Sequence, residues 1–398
     1  MTNNLQHFFL MNNVIQNYAW GSTTSINQLF DIPNPTKTPQ AEIWMGAHPN
    51  GCSQVEIDGK SISLLELINQ DKSTFLSAST ATTFAELPYL FKVLAAENAL
   101  SIQVHPSKQE AEVGFERENK AGIPLNAGHR NYKDPNHKPE LVYALTPYQA
   151  MNGFRALSEI VARFQALQID VISDLVEQFE LNQTSKGLQD FFTALLSLSG
   201  EQKEQAVNAL LTHANHYSND EIFTLILELA QQYPGDIGLF SPLMLNVLTL
   251  APGEAMFLDA RTPHAYLKGT GLEIMANSDN VLRAGLTPKH MDIAELASCT
   301  RFEEKPAATL LLQPIEDRGA LLFPVPVTDF KFAIYPQSNN VTVEVTSAEI
   351  ILPIDGDAIL THQNGEKITI TKGCSVFIPA YTGEYQLSAE GRVARAYN

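Results

Sequence analysis

Short segments of β type fill most of this chain of 398 residues, and they limit its fold more than any other feature. Runs of β-branched and aromatic residues are punctuated by Gly and Pro, as in LFKVLAA, ELVYALT, VTVEVTS and KITITKG. Many short strands with turn signals between them are typical of β sandwiches and barrels. A chain of this length exceeds one ordinary hydrophobic core, so we expect two or three domains.

One block, from residue 156 to residue 233, has a helical period instead. In SEIVARFQALQ the apolar residues Ile160, Val161, Phe164 and Leu167 recur on one helix face, and LQDFFTALLSL and NDEIFTLILELAQQY show the same spacing. The sequence therefore predicts an all-α subdomain inserted into a β fold. The expected domains are a discontinuous β domain (1–155 and 234–322), a helical insertion (156–233) and a C-terminal β domain (323–398).

Two segments outside this block repeat one pattern. LTLAPGEAMFLDA (248–260) and ITITKGCSVFIPA (368–380) each contain a strand, a Gly turn, a second strand and a final Ala in the same register. This unit recurs in double-stranded jelly rolls, the cupin architecture, although two β hairpins can also resemble each other by chance. The prediction is a mainly β fold with cupin-type double-stranded β-helix barrels. Because Glu384 matches His264 in this register, the second barrel is expected to lack that imidazole.

The charge and the cysteine content argue against several classes of protein. The formal net charge of −18 would repel nucleic acid and acidic membranes over most of the surface, so neither partner is expected. No window approaches the roughly 20 apolar residues that span a bilayer, and the first residues lack the pattern of a signal peptide. Three widely spaced cysteines form no C-x-x-C motif. We therefore expect a cytoplasmic protein. The expected oligomeric state is a monomer, with a weak homo-oligomer as the alternative.

Polar residues with metal-binding chemistry occur in three of the β-type segments. In LSIQVHPSK, Gln103 and His105 alternate with apolar residues and so share one face of the predicted strand. Glu140 opens the apolar run that follows NHKP, and His264 follows a Pro turn at the end of another strand. Two imidazoles, a carboxylate and an amide oxygen suit a divalent ion, with zinc first.

Each of these residues also has a plainer interpretation. A lone Q-x-H is most often a hydrogen-bonded histidine at a sheet surface. His137, beside Glu140, and His48, in GAHPNG, are alternative ligands, although a loop or turn role also fits them. No cysteine lies near these motifs, so a closed structural zinc site is not expected.

Cations occur in the same stretches, namely Lys92, Lys138, Arg283 and Lys289. A single Lys is usually a solvated surface residue, and Arg283 could simply pair with Asp279 four residues earlier. In an otherwise acidic chain, however, four cations among candidate metal ligands favour an anion pocket. Phosphate on a small substrate is the simplest anion that would require it.

These motifs resemble, in content and in order, the type I mannose-6-phosphate isomerases (phosphomannose isomerases) over nearly the whole chain. The resemblance rests on YAWGS (18–22), AEIWMGAHPNGCS (41–53), LSIQVHPSK (100–108), NHKPEL (136–141) and PHAYLKGTGLEIMANSDNVLRAGLTPK (263–289). It implies a cupin-type fold with a helical insertion, one zinc ion per chain, and reversible conversion of mannose 6-phosphate to fructose 6-phosphate. The match is weakest after Pro324.

The resemblance also implies roles for single residues. It places the family's zinc ligands on Gln103, His105, Glu140 and His264, and its active-site arginine on Arg283. For a reaction through an enediol(ate), Glu273 and Lys138 are the candidate base and proton relay, while Arg283 would stabilise enediolate or phosphate charge. The expected substrate-binding residues are Lys92, Ser101, Tyr266, Asp279 and Lys289.

Two other functions remain open from the sequence. A non-heme iron oxygenase could use His105, Glu140 and His264 as its two-histidine, one-carboxylate triad. Gln103 as a fourth ligand and the cluster of cations count against it. The second alternative is a protein that binds a metal and a sugar phosphate without turnover.

Overall fold

The structure, a computed structural model, describes residues 5–398. In the part that precedes the helical block, the strands are β1 (Phe9–Asn12), β2 (Val14–Gln16), β3 (Glu42–Met45), β4 (Gln54–Ile57), β5 (Lys60–Ser63), β6 (Tyr89–Ala96), β7 (Ile102–Val104), β8 (Glu140–Ala144) and β9 (Tyr148–Phe154). The helices in this part are α1 (Ser25–Phe30), α2 (Leu64–Gln70), α3 (Lys72–Leu76), α4 (Ala78–Thr83) and α5 (Lys108–Lys120).

The helical block follows, as the period of its apolar residues predicts. Its helices are α6 (Leu157–Leu167), α7 (Ser173–Leu181), α8 (Ser185–Leu196), α9 (Gly200–His216) and α10 (Glu221–Gln232), and the short α11 (Ser241–Met244) leads back to the sheet. The apolar stripe predicted for α6 is buried. Helix α10 begins after Asp220, whose side chain accepts hydrogen bonds from the backbone N–H groups of Ile222 and Phe223.

The chain then returns to β structure. The next elements are β10 (Leu245–Leu250), β11 (Ala255–Leu258), β12 (His264–Ala276), β13 (Leu282–Gly285) and α12 (Ile293–Cys299). The C-terminal strands are β14 (Ile315–Asp317), β15 (Ala320–Phe323), β16 (Lys331–Tyr335), β17 (Ser338–Glu344), β18 (Glu349–Pro353), β19 (Ala358–Thr361), β20 (Lys367–Ile370), β21 (Ser375–Ile378), β22 (Glu384–Ala389) and β23 (Val393–Tyr397). The prediction of a mainly β fold with an all-α subdomain is confirmed.

The long strand β12 organises the first large sheet. It pairs antiparallel with β6, β7, β8 and β9, and the strand order runs β10-β9-β12-β6-β3-β2. The second large sheet has the order β14-β15-β16-β23-β18-β21-β1-β4-β5, and a small sheet has the order β17-β22-β19-β20.

Within residues 5–398, no helix combines the length and the apolar composition that crossing a bilayer requires.

Strand β1 lies at the start of the chain but pairs with a C-terminal strand, with Phe9 opposite Phe377. Its side chains alternate between buried (Phe9, Met11) and exposed (Leu10, Asn12), as a strand with one face on a core requires. This alternation fixes which face of β1 is buried and does not select the partner strand.

The division of the chain into a discontinuous β domain, a helical insertion and a C-terminal β domain, with the boundaries given above, stays a prediction.

The core of the helical block extends beneath the strands that carry the polar motifs. Ile102 and Val104 of β7 are fully buried in the same apolar cluster as the helices, and so is Leu282 of β13. Gln103 therefore points to the opposite face of β7, because successive side chains in a strand alternate. The helices thus support one side of this sheet and leave its other side to the polar residues.

Candidate metal centre and cavity

Strand β12 brings the predicted metal ligands together. His264, its first residue, lies opposite Gln103 of β7. Near its other end, Met275 lies opposite Glu140, the first residue of β8. His105 follows β7 directly in the chain. Ligands that are far apart in the sequence therefore meet because β7 and β8 both pair with β12.

His105, Glu140 and His264 form a buried group whose ligand atoms all lie within 4.8 Å of one another. Nε2 of His105 is 3.2 Å from Oε1 of Glu140, and Nε2 of His264 is 3.5 Å from Oε2 of the same carboxylate. This is the only such group of three or more His, Cys, Asp or Glu side chains in the region that the structure describes.

Backbone carbonyl groups orient both imidazoles. Nδ1 of His105 is 2.7 Å from the carbonyl oxygen of Asn280, and Nδ1 of His264 is 2.9 Å from that of Thr262. A carbonyl oxygen only accepts hydrogen bonds, so each Nδ1 carries the proton and each Nε2 offers a lone pair. This backbone support is typical of metal-binding histidines.

The donor set fits a divalent cation. Nε2 of His105 is buried without a hydrogen-bond partner, although it faces the Glu140 carboxylate. Two acceptors that face each other at a buried position favour a positive charge between them. Gln103 lies beside the group, and its Nε2 donates to Oγ of Ser101 at 3.3 Å, which leaves Oε1 available as a donor atom for an ion.

The charges around Glu140 keep these groups in the protonation states that bind metals. Burial alone would raise the pKa of the Glu140 carboxyl. Lys138, with Nζ 3.1 Å from Oε1, and His105 outweigh that effect and hold the pKa well below its usual range. Burial, reinforced by Lys138, lowers the pKa of His105 to about 4. At neutral pH the carboxylate is therefore charged and the imidazole of His105 neutral.

A second buried cluster adjoins the first. Nζ of Lys92 donates to Oε2 of Glu273 at 2.9 Å and lies 3.7 Å from Oε1 of Glu42. The hydroxyl of Tyr266 lies 2.8 Å from Oε1 of Glu273 and 2.6 Å from Oε2 of Glu140, so it links the two clusters. Burial raises the pKa of Tyr266, and both carboxylates raise it further, so the hydroxyl keeps its proton to donate.

Both clusters border one cavity of about 570 Å³. Of the residues that the sequence predicts for the site, His105 is set back from the cavity and the others line it. The predicted residues that line the cavity are Lys92, Ser101, Gln103, Lys138, Glu140, His264, Tyr266, Glu273, Asp279, Arg283 and Lys289.

Arg283 and Lys289 provide the free positive charge of this cavity. Within residues 5–398, no carboxylate oxygen lies within 4.0 Å of the Arg283 guanidinium. The pKa of Lys289 is lowered first by Arg283 and then by burial, as expected for two neighbouring cations. The alternative pairing of Arg283 with Asp279 is absent, because Asp279 contacts His48 at 3.5 Å and Asn50 at 2.9 Å.

The alternative metal ligands lie elsewhere. Nε2 of His137 is 2.9 Å from Oδ1 of Asp329, in the C-terminal part of the chain. His48 packs edge-on against Trp44 and contacts Asp279, so it helps to shape the wall of the cavity.

Glu42 is a residue of the site that the sequence interpretation missed. Its motif, AEIWMG, belongs to the quoted family resemblance, and the alternation of Glu42 and Trp44 with the apolar Ile43 and Met45 is the signal that points to it. Trp44 also lines the cavity, and Nζ of Lys92 lies 5.3 Å from the centre of its ring.

The second barrel carries an ion pair at the corresponding position. Leu258 lies opposite Glu140, and Ile378, which matches Leu258 in the internal repeat, lies opposite Glu349. Glu349 accepts hydrogen bonds from Arg395 at 2.6 Å and from the hydroxyl of Tyr385 at 2.7 Å. A guanidinium thus compensates the buried carboxylate there.

A buried group of two histidines and a glutamate in a β barrel, beside a cavity with unpaired cations, defines a metal-binding protein of the cupin class. Three family models match the chain: the phosphomannose isomerase type I catalytic domain (residues 8–157), its helical insertion domain (160–245) and the mannose-6-phosphate isomerase cupin domain (320–398). The chain belongs to the type I mannose-6-phosphate isomerase family.

Relatives of known identity agree with this assignment over nearly the full length. The chain is 48% identical to mannose-6-phosphate isomerase from Escherichia coli, over 97% of this chain and 98% of that protein, and 36% identical to the protein from Bos taurus, over 94% of each. A crystal structure of a variant of phosphomannose isomerase from Salmonella typhimurium matches with a TM-score of 0.95 and 45% identity, over 99% of this chain and 100% of that one. A zinc-bound mannose 6-phosphate isomerase matches with a TM-score of 0.93 and 46% identity, over the same shares.

Proposed function

We propose that this chain is a zinc-dependent aldose-ketose isomerase that interconverts mannose 6-phosphate and fructose 6-phosphate through an enediol(ate). The observation that carries the proposal is the group of His105, Glu140 and His264 beside a cavity that the unpaired Arg283 also lines. A metal group and a free guanidinium in one cavity suit a sugar phosphate, which carries both a polarisable carbonyl group and an anionic phosphate. The zinc-bound relative supports the choice of metal.

Gln103, His105, Glu140 and His264 would hold the ion, one per chain. When bound, it supplies a Lewis acid that polarises the carbonyl group of the sugar. The backbone carbonyl groups that fix Nδ1 of both histidines hold these donors in place before the ion arrives. Lys138 keeps Glu140 ionised by direct contact.

Glu273 is the proposed base that moves a proton between the two carbon atoms. Burial raises the pKa of its carboxyl, Lys92 lowers it in part, and the net shift is upward. A carboxylate with a raised pKa takes up and returns a proton more readily near neutral pH than an exposed one. Lys138 is the proposed relay for protons on the sugar oxygens, since its Nζ lies at the cavity wall next to Glu140.

Arg283 is proposed to stabilise the negative charge of the enediolate or of the phosphate. The remaining proposed substrate contacts come from other side chains that line the cavity. They are Lys92, Ser101, Tyr266, Asp279 and Lys289.

The test is a coupled assay of mannose 6-phosphate conversion with the purified protein, with the chelated protein and with the protein after zinc is added back. Activity that is lost on chelation and restored by zinc is the expected result. If the protein binds zinc but forms no fructose 6-phosphate, the proposed function is wrong. Oxygen consumption by the iron-loaded protein would then favour the oxygenase alternative.

Replacing Arg283 with Met is expected to lower kcat/KM about 100-fold, because a preorganised positive charge at the substrate is lost. The thermal stability should not fall, since the guanidinium has no ion pair to lose and its burial is itself unfavourable. Steady-state kinetics and thermal unfolding measure the two effects. Arg301→Met is the control, because Arg301 is an exposed residue that pairs with Asp259. Activity of Arg283→Met within about threefold of the wild type would contradict the assigned role.

We also propose a cytoplasmic location, supported by Cys52, Cys299 and Cys374, which are all free thiols. The high net negative charge supports a monomer that binds neither nucleic acid nor membranes. The matched family segments support the proposed division into a catalytic β domain, a helical insertion and a C-terminal cupin domain.

Mannose 6-phosphate formed by this reaction would serve GDP-mannose biosynthesis.

A further inference from the structure

Asp236, between the helical block and the returning β strands, binds a distant turn through its carboxylate. Oδ1 accepts hydrogen bonds from the backbone N–H groups of Gly238 at 2.7 Å and Leu286 at 2.8 Å. Oδ2 accepts one from the backbone N–H of Thr287 at 3.1 Å. Two of these three bonds reach the segment after β13, about fifty residues further along the chain.

The turn that Asp236 binds has an unfavourable backbone conformation. Leu286 has a φ of +52°, a region that residues with a Cβ atom rarely adopt. Gly285, before it, has a φ of +131°, and a Cβ atom there would lie 2.6 Å from the Cα of Gly238. A conformation of this kind persists only where surrounding contacts hold it. The Asp236 carboxylate supplies those contacts for Leu286 and Thr287.

This turn forms the cationic wall of the cavity. Leu286, Thr287, Pro288 and Lys289 all line the cavity, as does Arg283 just before the turn. The backbone N–H of Lys289 donates to Oγ1 of Thr287 at 3.1 Å, so the position of the lysine follows from that of the turn. Asp236 binds the backbone only, and within residues 5–398 it forms no ion pair at 4.0 Å with any cation. It therefore fixes the wall without neutralising Arg283 or Lys289.

The end of the helical block also contacts the segment that leads into β7. Tyr233 lines the cavity, and its hydroxyl donates to the carbonyl oxygen of Ala99 at 2.5 Å. The side-chain oxygen of Gln232 accepts a hydrogen bond from the backbone N–H of Ala99 at 2.8 Å, two residues before Ser101. The segment 232–236 thus contacts two segments that border the cavity, the one before β7 and the one after β13.

We propose that Asp236 is a positioning residue through which the helical block sets the anion-binding end of the cavity. It acts on the substrate only through the 286–289 turn and the cation that this turn carries. The proposal rests on the proposed function, because it assigns the phosphate group of the substrate to this end. It requires that loss of the carboxylate weakens anion binding without removing the metal or the base.

The test compares Asp236→Asn with the wild type. The amide keeps the shape of the side chain and one acceptor oxygen, but its NH2 group would face the backbone N–H of Thr287. We expect KM for mannose 6-phosphate and the inhibition constant of inorganic phosphate to rise together by about tenfold. The value of kcat should stay within about twofold, and the zinc content should not change.

The matched control is Asp220→Asn. Asp220 is also an aspartate that accepts backbone N–H bonds in the helical block, but it caps α10 and binds no part of the cavity wall. It should lower the thermal stability and leave KM and the phosphate inhibition constant unchanged. Partial recovery of both constants in Asp236→Glu, which restores the carboxylate, would support a positioning role.

Two outcomes would overturn the proposal. One is a KM and a phosphate inhibition constant in Asp236→Asn within about twofold of the wild type. The other is a change in both constants that Asp220→Asn reproduces. If the wild type itself shows no isomerase activity, the proposed function fails, and calorimetric titration of inorganic phosphate into the wild type and Asp236→Asn still decides the role of Asp236.

Discussion

The substitution His264→Ala is expected to remove bound zinc and to lower isomerase activity by about 1,000-fold or more. His264 contributes one of the two imidazoles in the metal group, with its Nε2 3.5 Å from Glu140. Its neighbours Gln103 and Asn152 hold it through the pairing of β12 with β7 and β9, so a smaller side chain leaves the strand in place. The measurement is zinc content and kcat/KM on the same purified sample.

His216→Ala serves as the control. His216 is an exposed histidine at the end of α9, in the helical block, and it is not one of the predicted metal ligands. It should keep zinc and activity at the level of the wild type. A His264→Ala protein that bound zinc stoichiometrically and turned over substrate would show that the ligand set is wrong. Unfolding of His264→Ala would be recognised by circular dichroism, and His264→Gln, which keeps a polar side chain, would then replace it.

The fold could be predicted from the sequence where the signal is local. The helical stripe of α6 and the alternation of Ile102, Gln103 and Val104 specify an element and its buried face without knowledge of any partner. Both features depend on periods that lie within a few residues. The structure shows Ile102 and Val104 in the core of the helical block, as that alternation requires.

Pairings between distant strands could not be obtained in this way. Nothing in the alternation of β1 indicates that Phe9 lies opposite Phe377, since many strands could cover the same face. The three hydrogen bonds that the Asp236 side chain accepts could not be predicted from the sequence either. In the sequence, Asp236 belongs to YPGD, a turn that ends the helical block, and its partners Leu286 and Thr287 follow another strand.

The site could be predicted from the sequence better than the strand order, because the side chains that form it have metal-binding chemistry of their own. Two histidines, a glutamine and a glutamate at strand ends suggest a metal before their neighbours are known. Lys92 illustrates the limit of this reasoning. The sequence predicts that it contacts an anionic substrate, and the structure places its Nζ between Glu273 and Glu42, which reach it from β12 and β3. Its contact with the substrate stays a prediction.

The buried position of Lys92 leads to a second large expected effect. Lys92→Met should lower the free energy of unfolding at pH 7 by about 3–5 kcal/mol, because it leaves two buried carboxylates without their common cation. Burial alone would lower the pKa of Lys92, but Glu273 and then Glu42 raise it well above its usual value. The lysine is therefore charged throughout the neutral range. Chemical denaturation measures the loss.

The sign of the pH dependence follows from Glu273. In the wild type its pKa is already raised, so the folded state binds this proton more tightly than the unfolded chain, whose glutamate pKa is about 4.3. Stability linked to this group therefore falls as the pH rises through the interval from about 4.3 to the raised pKa. Removing Lys92 takes away the largest influence that lowers this pKa. The interval then extends further upward, and the deficit of Lys92→Met should be largest near pH 7 and smaller near pH 5.

The double variant Lys92→Met, Glu273→Gln distinguishes this cause from a simple loss of packing. It removes the carboxylate that contacts Lys92 at 2.9 Å, so it should recover part of the stability at pH 7 and lose most of the pH dependence. Under the proposed role of Glu273 as the base, both proteins should be weak isomerases, since a protonated or amidated Glu273 cannot accept a proton. Lys268→Met, at an exposed position of β12, should change the stability by no more than about 0.5 kcal/mol. A deficit in Lys92→Met that is equal at pH 5 and pH 7, and that Glu273→Gln does not reduce, would mean that the aliphatic part of Lys92, not its charge, stabilises this part of the barrel.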